Sequence, residues 1–369
     1  MTVSDEIRDD LRDKLDPKVM ATAIIVGVIE FELFTDPKGI AAFAQQDAWL
    51  SFLLGGLITT ITTYLLVRLA SRFPRENLFQ FNKKIWGRPI AFVIAVSYLL
   101  YWTVYLTLLF QDFSTANKIL FLRDTPSLVP MLILAVGAAL LVSYGLPAVI
   151  RFFQLMLPFL ILPLLLIIVL AIRRVELEHF LPVLSNGIMP VLKGAVYFVG
   201  VLQGLEIILF LSPFLVDVKK ATKPALIGVN SIILIAFAFA VIPIGIMGNE
   251  NIKESLWPVV ETLSLIELPG FPVERFELFL TLPWLIGVFT TMCLFIYLLS
   301  FGIIQVFNLR KRKWIIYSVA GFIVLATYVF PNYTWALTAR KYFYIPSLLF
   351  LYVIPLLTLL ISILRAKRD

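Results

Sequence analysis

Long apolar blocks, separated by short polar segments, run through nearly the whole chain. A helix needs about 20 mostly apolar residues to cross about 30 Å of hydrocarbon. The blocks predict ten membrane-spanning helices at about 18–46, 48–71, 88–118, 126–144, 147–172, 190–215, 222–248, 275–307, 313–331 and 343–364. The pattern therefore predicts an all-α integral membrane protein, with residues 1–17 as a charged cytoplasmic segment and residues 18–369 as a single membrane domain.

Composition and charge agree with this class of protein. Hydrophobic residues make up 60% of the 369 residues, more than the roughly half that is usual in soluble domains. If ten spans alternate across the bilayer, about two thirds of the 31 Lys and Arg residues fall on the side of the N-terminus. Cytoplasmic loops carry such an excess, so we expect both termini in the cytoplasm, and the net charge of +7 needs no nucleic-acid partner.

Residue types that catalysis or metal binding needs are scarce. Cys293 is the only cysteine and His179 the only histidine, which excludes cysteine-ligated metal, HExxH zinc sites and histidine-based triads. The sequence has no Walker A pattern, so it is not an ATP-driven pump. An intramembrane hydrolase using two acids stays open, but nothing specifies the pair. The sequence therefore predicts a non-enzyme without a cofactor or metal.

The first predicted span contains two carboxylates, in the stretch "GVIEFELFTDP". Glu30 and Glu32 point about 200° apart on a regular helix, so one of them tends to face lipid, at a cost of about 2.5–3.5 kcal/mol. As one helix, 18–46 also spans about 43 Å, more than a bilayer needs. We therefore expect the helix to unwind near "GVIEF", where Gly27 permits it. The sequence does not decide which glutamate faces the interior.

The sixth predicted span, "VLKGAVYFVGVLQGLEIILFLSPF", shows the same combination of glycine and membrane-depth acid. Gly200 and Gly204 bracket Gln203, and Glu206 follows. With five spans per half, the second half runs inverted relative to the first, as repeats at about 18–172 and 190–364. Interrupted helices in corresponding positions indicate a midplane binding site. Close helix packing remains an alternative for the glycines, as does a structural hydrogen bond for Glu206.

Other polar and aromatic residues lie at helical spacing near these positions. Tyr98, Trp102 and Tyr105 occupy one face of the third span, where they either pack or line a ligand site. Thr290 and Thr291 lie midway along the eighth span and either bond to backbone or coordinate an ion. Arg151 begins the fifth span and either snorkels to the interface or supplies a fixed charge.

Six stretches carry a resemblance to a known family: "AQQDAWLSFLLGG" (44–56), "RFPRENLFQFNKKIWGRPI" (72–90), "DTPSLV" (124–129), "GLPAVIRFFQLMLPF" (145–159), "LPVLSNGIMPVLKG" (181–194) and "GLEIILFLSPF" (204–214). The chain resembles the spore-germination permeases, the B subunits of Ger-type nutrient germinant receptors, in the amino acid–polyamine–organocation superfamily. The resemblance implies a LeuT-like 5+5 inverted repeat with broken first and sixth helices. It also implies a spore inner membrane location and partner subunits A and C.

The resemblance further implies a small nutrient ligand: an amino acid, a sugar or a nucleoside. It places the ligand at the two breaks, with the third and eighth spans as walls, and Arg151 where a related transporter holds sodium. The implied ligand residues are Gly27, Val28, Glu30, Phe31, Tyr98, Trp102, Tyr197, Gly200, Gln203, Gly204 and Glu206.

One departure from the superfamily bears on the ligand. Amino-acid transporters commonly have a second glycine close after the first in the broken first span, and "GVIEF" lacks it. Nearby carboxylates repel an anionic group, so we expect a cationic, zwitterionic-amine or polyhydroxyl nutrient. The leading interpretation is a transporter-like receptor subunit. The alternatives are a proton- or sodium-coupled amino-acid transporter and a nutrient-gated ion channel.

Overall fold

The computed structural model describes residues 14–30, 32–265, 280–329 and 333–365. Phe31, which the sequence places at the first break, lies outside the described residues. The α-helices, in chain order, are α1 (Val19–Val28), α2 (Glu32–Ala44), α3 (Ala48–Arg72), α4 (Leu78–Ile85), α5 (Arg88–Leu120), α6 (Leu128–Ser143), α7 (Leu146–Ala171), α8 (Ile188–Gly200), α9 (Ile207–Leu211), α10 (Thr222–Glu254), α11 (Pro258–Ser264), α12 (Thr281–Phe307), α13 (Arg312–Ala326), α14 (Tyr333–Leu348) and α15 (Ile354–Arg365). A π-helical turn, Leu349–Val353, joins α14 to α15.

Among the residues that the structure describes, seven helical segments are long and apolar enough to cross a membrane: Pro37–Arg72, Arg88–Ile119, Leu146–Arg174, Lys219–Glu254, Thr281–Phe307, Arg312–Val329 and Thr334–Arg365. Three shorter apolar helices, α1, α6 and α8, lie where the sequence predicts the first, fourth and sixth spans. Within the described residues, the only β structure is an isolated parallel bridge between Leu15 and Leu215. The prediction of an all-helical, multi-pass membrane protein is confirmed.

The last helical segment begins earlier than the sequence predicts. The predicted tenth span starts at residue 343, whereas α14 begins at Tyr333. Arg340 and Lys341 make this region look like a loop in a hydropathy profile. The structure instead buries Arg340 against acidic side chains, as described below, so its charge is compatible with membrane depth.

Helix α12 forms the centre of the bundle, and α7 lies at its edge. In its most apolar window, α12 has 83% of its residues buried, whereas α7 has 22%, although α7 has the higher mean hydropathy of 3.1 against 2.1. Apolar side chains exposed on α7, such as Leu155 and Leu162, are suited to contact with lipid tails. The most apolar helix therefore faces lipid, and the central helix carries the polar residues that a site needs.

Two helices stop inside the bundle, and their ends meet. Helix α1 ends at Val28 because Ile29 takes an extended conformation, with φ −71° and ψ 108°. Helix α8 ends at Gly200, and α9 begins at Ile207. Gly204 lies between them with φ +102°, and a Cβ atom there would be 3.0 Å from the carbonyl oxygen of Gly27. Only glycine accepts both the positive φ and this close contact without strain.

Candidate functional site

Glu206 lies in the segment between α8 and α9, and it is 2% exposed. Its Oε2 accepts a hydrogen bond from the backbone N–H of Gly204 at 2.8 Å. Its Oε1 accepts one from the indole Nε1–H of Trp102 at 3.3 Å. The positive φ of Gly204 allows the chain to fold back so that the carboxylate reaches this N–H. The break therefore holds Glu206 in a defined position between the backbone and α5.

Trp102 belongs to an aromatic cluster beside Glu206. Its ring centroid lies 5.5 Å from that of Tyr98, 5.8 Å from that of Phe79 on α4, and 5.3 Å from that of Phe210 on α9. The Tyr98 hydroxyl donates to the backbone carbonyl of Phe350, inside the π-helical turn. Tyr98 and Trp102 therefore pack against each other as one wall. Trp102 hydrogen-bonds to the Glu206 carboxylate, whereas the Tyr98 hydroxyl hydrogen-bonds to a backbone carbonyl.

Gln203 presents an acceptor atom without a partner. Its Nε2 donates to the carbonyl of Gly200 and to the hydroxyl of Ser347, both at 2.9 Å. Its Oε1 is buried and accepts no hydrogen bond from the residues described in the structure. Buried amide oxygens are nearly always satisfied. This oxygen is therefore suited to accept a hydrogen bond from a bound molecule.

Glu30 lies just after α1 in a buried network of charges that sequence reasoning missed. Its Oε1 accepts a hydrogen bond from the Tyr105 hydroxyl at 2.9 Å and lies 3.4 Å from Nη2 of Arg340. Nε of Arg340 lies 3.1 Å from Oδ2 of Asp112. The guanidinium also stands 5.9 Å from the centroid of the Tyr105 ring. One arginine from α14 thus joins an acid at the first break to an acid on α5.

The sequence held a signal for part of this network. Asp112 lies inside the predicted third span, and an acid at membrane depth is a functional candidate by default. Arg340 fell three residues outside the predicted tenth span, so no pattern marked it as intramembrane. Glu32 has a helical backbone at the start of α2, and its side chain lies outside the described part of the structure. Glu30 is buried, so this glutamate faces the interior of the protein.

Thr290 and Thr291 on α12 bond to the last turn of α1. The Thr290 hydroxyl donates to the carbonyl of Val26 at 2.7 Å, and the Thr291 hydroxyl donates to that of Gly27 at 3.2 Å. The last four carbonyls of a helix have no partner within the helix, so α12 satisfies groups that the break leaves open. Both threonines therefore hydrogen-bond to backbone, which is one of the two roles that the sequence leaves open. Their hydroxyls and the two carbonyls bring four oxygen atoms close together.

The remaining predicted site residues lie at the edges of this region. Val28 is buried, and its Cγ2 would be 3.0 Å from a Cβ at Gly204. Tyr197 is half-buried between Phe43 and Tyr344, with ring centroids 5.7 and 5.2 Å away. Arg151 is exposed on α7, so its role beside an ion stays a prediction.

The described residues between α8 and α9 provide hydrogen-bond acceptors. The Oε1 of Gln203 accepts no hydrogen bond from the described residues, and each oxygen of Glu206 accepts one and can accept a second, whereas Glu30 is bonded to both Tyr105 and Arg340. In the described part of the chain, no group of three or more His, Cys, Asp or Glu side chains is arranged to hold a metal ion. The arrangement is suited to binding a molecule that carries amine or hydroxyl groups.

Solved structures with a similar fold are transporters. Mhp1, a nucleobase-cation-symport-1 family transporter in a closed conformation with bromovinylhydantoin bound, aligns with a TM-score of 0.64 and 16% identity, covering 87% of this chain and 74% of that one. A manganese transporter of Eremococcus coleocola aligns with a TM-score of 0.63 and 14% identity, covering 93% of this chain and 78% of that one. The chain therefore has the LeuT-like fold of these transporters.

Sequence comparison gives relatives in Bacillus subtilis (strain 168). Spore germination protein YndE is 28% identical over 291 residues, which covers 78% of this chain and 80% of that protein. Spore germination protein KB is 23% identical over 337 residues, which covers 89% of each. Residues 14–333 match the sequence family described as "Spore germination protein". Because the match extends over most of its length, the chain belongs to the spore germination protein family.

Proposed function

We propose that the protein is the transporter-like subunit of a nutrient germinant receptor, and that a small nutrient binds where the first and sixth helices are interrupted. The observation that carries the proposal is the contact between the two interruptions, at Gly27 and Gly204, with buried acceptors on Gln203 and Glu206 beside it. In this proposal the receptor lies in the spore inner membrane, and its A and C subunits transmit the signal.

The helix bounds support ten spans in a 5+5 inverted repeat. Within the described parts of the chain, seven long helical segments and three shorter apolar helices add up to ten candidates. In the proposal, α1 and α2 are the two halves of the broken first span, and α8 and α9 are those of the sixth. Each half then contributes one interrupted helix to a midplane site. Both termini lie in the cytoplasm in this arrangement.

The nutrient that fits best carries amine or hydroxyl groups. Glu206 and the Oε1 of Gln203 accept hydrogen bonds, and Trp102 supplies an aromatic surface next to them. The repulsion that the sequence predicts between two carboxylates and an anionic ligand is reduced at Glu30, because Arg340 lies beside it. The preference for a donor-rich nutrient therefore rests on the sixth-helix side of the site. Amino acids, sugars and nucleosides all carry such groups.

Binding would act by shifting an equilibrium between two conformations. A ligand shifts such an equilibrium only through its different affinity for the two states. The break at Gly27 is bonded to α12 through Thr291, and the break at Gly204 contacts Gly27. A molecule that changes the position of one break therefore changes contacts of the other and of α12. Partner subunits would read that change.

Coupled transport is the second candidate function. One solved structure with a similar fold is a Na⁺-coupled sialic acid symporter, with a TM-score of 0.61 and 10% identity, covering 92% of this chain and 80% of that one. The hydroxyls of Thr290 and Thr291 and the carbonyls of Val26 and Gly27 bring four oxygens together, the type of ligand that a hard cation prefers. Sodium-dependent uptake of a labelled nutrient into proteoliposomes would favour this candidate, and ion flux without uptake would favour a channel.

A thermal-shift screen tests the proposed site. Purified protein is heated with amino acids, sugars or nucleosides, alongside Glu206→Gln and the matched control Glu178→Gln, which changes an exposed carboxylate. A ligand at about 100 times its Kd stabilises the folded state by about 2.7 kcal/mol. We expect a stabilising nutrient whose effect is lost in Glu206→Gln and kept in Glu178→Gln. A nutrient that stabilises all three proteins equally would place the site elsewhere.

A further inference from the structure

A groove lined by lysines lies where α1 and α10 begin. Its volume is about 810 Å³. Four lysines and two aspartates line it, together with apolar and proline side chains: Lys14, Asp16, Pro17, Lys18, Val216, Asp217, Lys220, Lys223, Pro224 and Ile227. Lys14 and Val216 also line a neighbouring cleft that contains Arg75 and Lys219. The surface is therefore strongly basic.

The close crossing of α1 and α10 shapes this groove. A Cβ atom on Gly228 would be 3.0 Å from the carbonyl oxygen of Ala21 and 3.1 Å from its Cα atom. Only a glycine lets α10 approach the α1 backbone this closely. Lys18 immediately precedes α1 and Lys223 lies in the first turn of α10, so both helix starts contribute a lysine to the groove. The bridge between Leu15 and Leu215 joins the two segments that precede α1 and α10, and their neighbours Lys14, Asp16 and Val216 line the groove.

The acids of the groove are already engaged, whereas most of the lysines are not. Asp16 accepts a hydrogen bond from the backbone N–H of Lys18 at 2.7 Å. Asp217 accepts one from the N–H of Lys219 at 3.0 Å and lies 3.9 Å from Nζ of Lys220. Within the described parts of the chain, Lys14, Lys18 and Lys223 form no ion pair. The groove therefore has positive charge available for an anion.

Apolar side chains continue from the lysines towards the membrane interior. Lys223, Ile227 and Leu234 lie along one side of α10 at helical spacings of four and seven residues, and Lys220 lies three residues before Lys223 in the short helical turn Lys219–Ala221. Ile227 is 51% exposed and Leu234 is 68% exposed. The apolar segment that contains α10 begins at Lys219, so the lysines lie at the membrane–water boundary. A cationic end followed by an apolar track matches a phospholipid, with its phosphate at the lysines and an acyl chain along α10.

We propose that this groove binds the headgroup of an anionic phospholipid. A phosphodiester with a net negative charge meets Lys14, Lys18, Lys220 and Lys223, and the acyl chain passes Ile227. Basic pockets between membrane helices bind such headgroups through the same combination of charge and location. Bound lipid would connect the chain before α1 to the start of α10 and so stabilise the bridge at Leu15. A soluble acidic segment of a protein lacks the acyl chain that the exposed apolar side chains accommodate.

The test is a lipid titration of the full chain in a nonionic detergent, with the midpoint of thermal unfolding as the readout. The probes are dioleoyl phosphatidylglycerol and dioleoyl phosphatidylcholine, which share acyl chains and differ in net charge. The variant combines Lys18→Gln, Lys220→Gln and Lys223→Gln. The matched control combines Lys118→Gln, Lys193→Gln and Lys341→Gln, which removes the same charge from exposed lysines elsewhere.

We expect phosphatidylglycerol to raise the unfolding midpoint at lower concentration than phosphatidylcholine. Each lysine near an anionic headgroup contributes about fivefold in affinity, so the groove variant should bind phosphatidylglycerol about 100-fold more weakly. The control variant should keep the affinity of the unmodified protein. Equal effects of the two lipids, or equal losses in both variants, would overturn the proposal. Inorganic phosphate or polyglutamate that protects as well as phosphatidylglycerol would also overturn it, because neither has an acyl chain.

Discussion

The buried network around Arg340 makes the sharpest prediction about stability. Arg340 lies between Glu30 and Asp112, at N–O distances of 3.4 and 3.1 Å, with its side chain 12% exposed and each carboxylate 3% exposed. Replacing the arginine by leucine leaves two buried carboxylates beside each other without this cation. Removing one partner of a buried ion pair costs about 3–5 kcal/mol. At about 2 °C per kcal/mol for a large domain, the unfolding midpoint of Arg340→Leu should fall by about 6–10 °C.

The chain offers a matched control for this substitution. Arg68 also stands over a tyrosine ring, with its guanidinium carbon 5.3 Å from the centroid of Tyr64, but both side chains are exposed. An exposed cation–π pair contributes about 0.5–1 kcal/mol, so Arg68→Leu should lower the midpoint by about 1–2 °C. The difference between the two arginine variants isolates the effect of the buried carboxylates.

A combined variant tests the physical reason. Glu30→Gln and Asp112→Asn remove the two negative charges while keeping the shapes of the side chains. Added to Arg340→Leu, they should restore most of the lost stability, because no buried charge is left without an opposite partner. Thermal unfolding of detergent-purified protein compares these three variants with the unmodified protein. If Arg340→Leu is as stable as the unmodified protein, or if the combined variant is less stable than Arg340→Leu, the charge argument is refuted.

Other substitutions test the two breaks. Gly204→Ala forces an L-residue to φ +102°, with its Cβ 3.0 Å from a carbonyl oxygen, and should cost about 1–3 kcal/mol. Gly321→Ala is the control, since nothing lies within 4 Å of a Cβ there, and its midpoint should stay equal or rise. Thr291→Val removes the hydrogen bond to the Gly27 carbonyl and should cost about 1–3 kcal/mol, because a buried acceptor is left unpaired; a midpoint equal to that of the unmodified protein contradicts this. Trp102→Phe keeps the aromatic packing but removes the N–H that bonds to the sixth-helix carboxylate, and should weaken nutrient binding in the thermal-shift screen more than it lowers the midpoint without ligand.

Local sequence signals were sufficient for the class of an all-helical membrane protein, and they single out two of the residues in the proposed site. The apolar blocks alone predict an all-helical membrane protein, because hydrocarbon leaves helices as the way to satisfy every backbone group within one segment. Gly204 and Glu206 also stand out locally, since a glycine and a membrane-depth acid within three residues are costly in an uninterrupted lipid-facing helix. The structure places them at an interruption between α8 and α9, with the acid buried.

Pairings between distant segments were decided only by the tertiary structure. Arg340 meets Glu30 across 310 positions of sequence, and Thr290 meets Val26 across 264. Neither pairing leaves a periodic signal, because the partners share no helix and no turn. The hydropathy pattern also predicted that Arg340 lies outside the tenth span. A hydropathy average includes the charge of Arg340 but not Glu30 and Asp112, which are distant in sequence and pair with it. The sequence by itself thus determined the class of an all-helical membrane protein, because the apolar blocks are long enough to span a bilayer, while packing around α12 determined which of the buried charges and hydroxyls face one another.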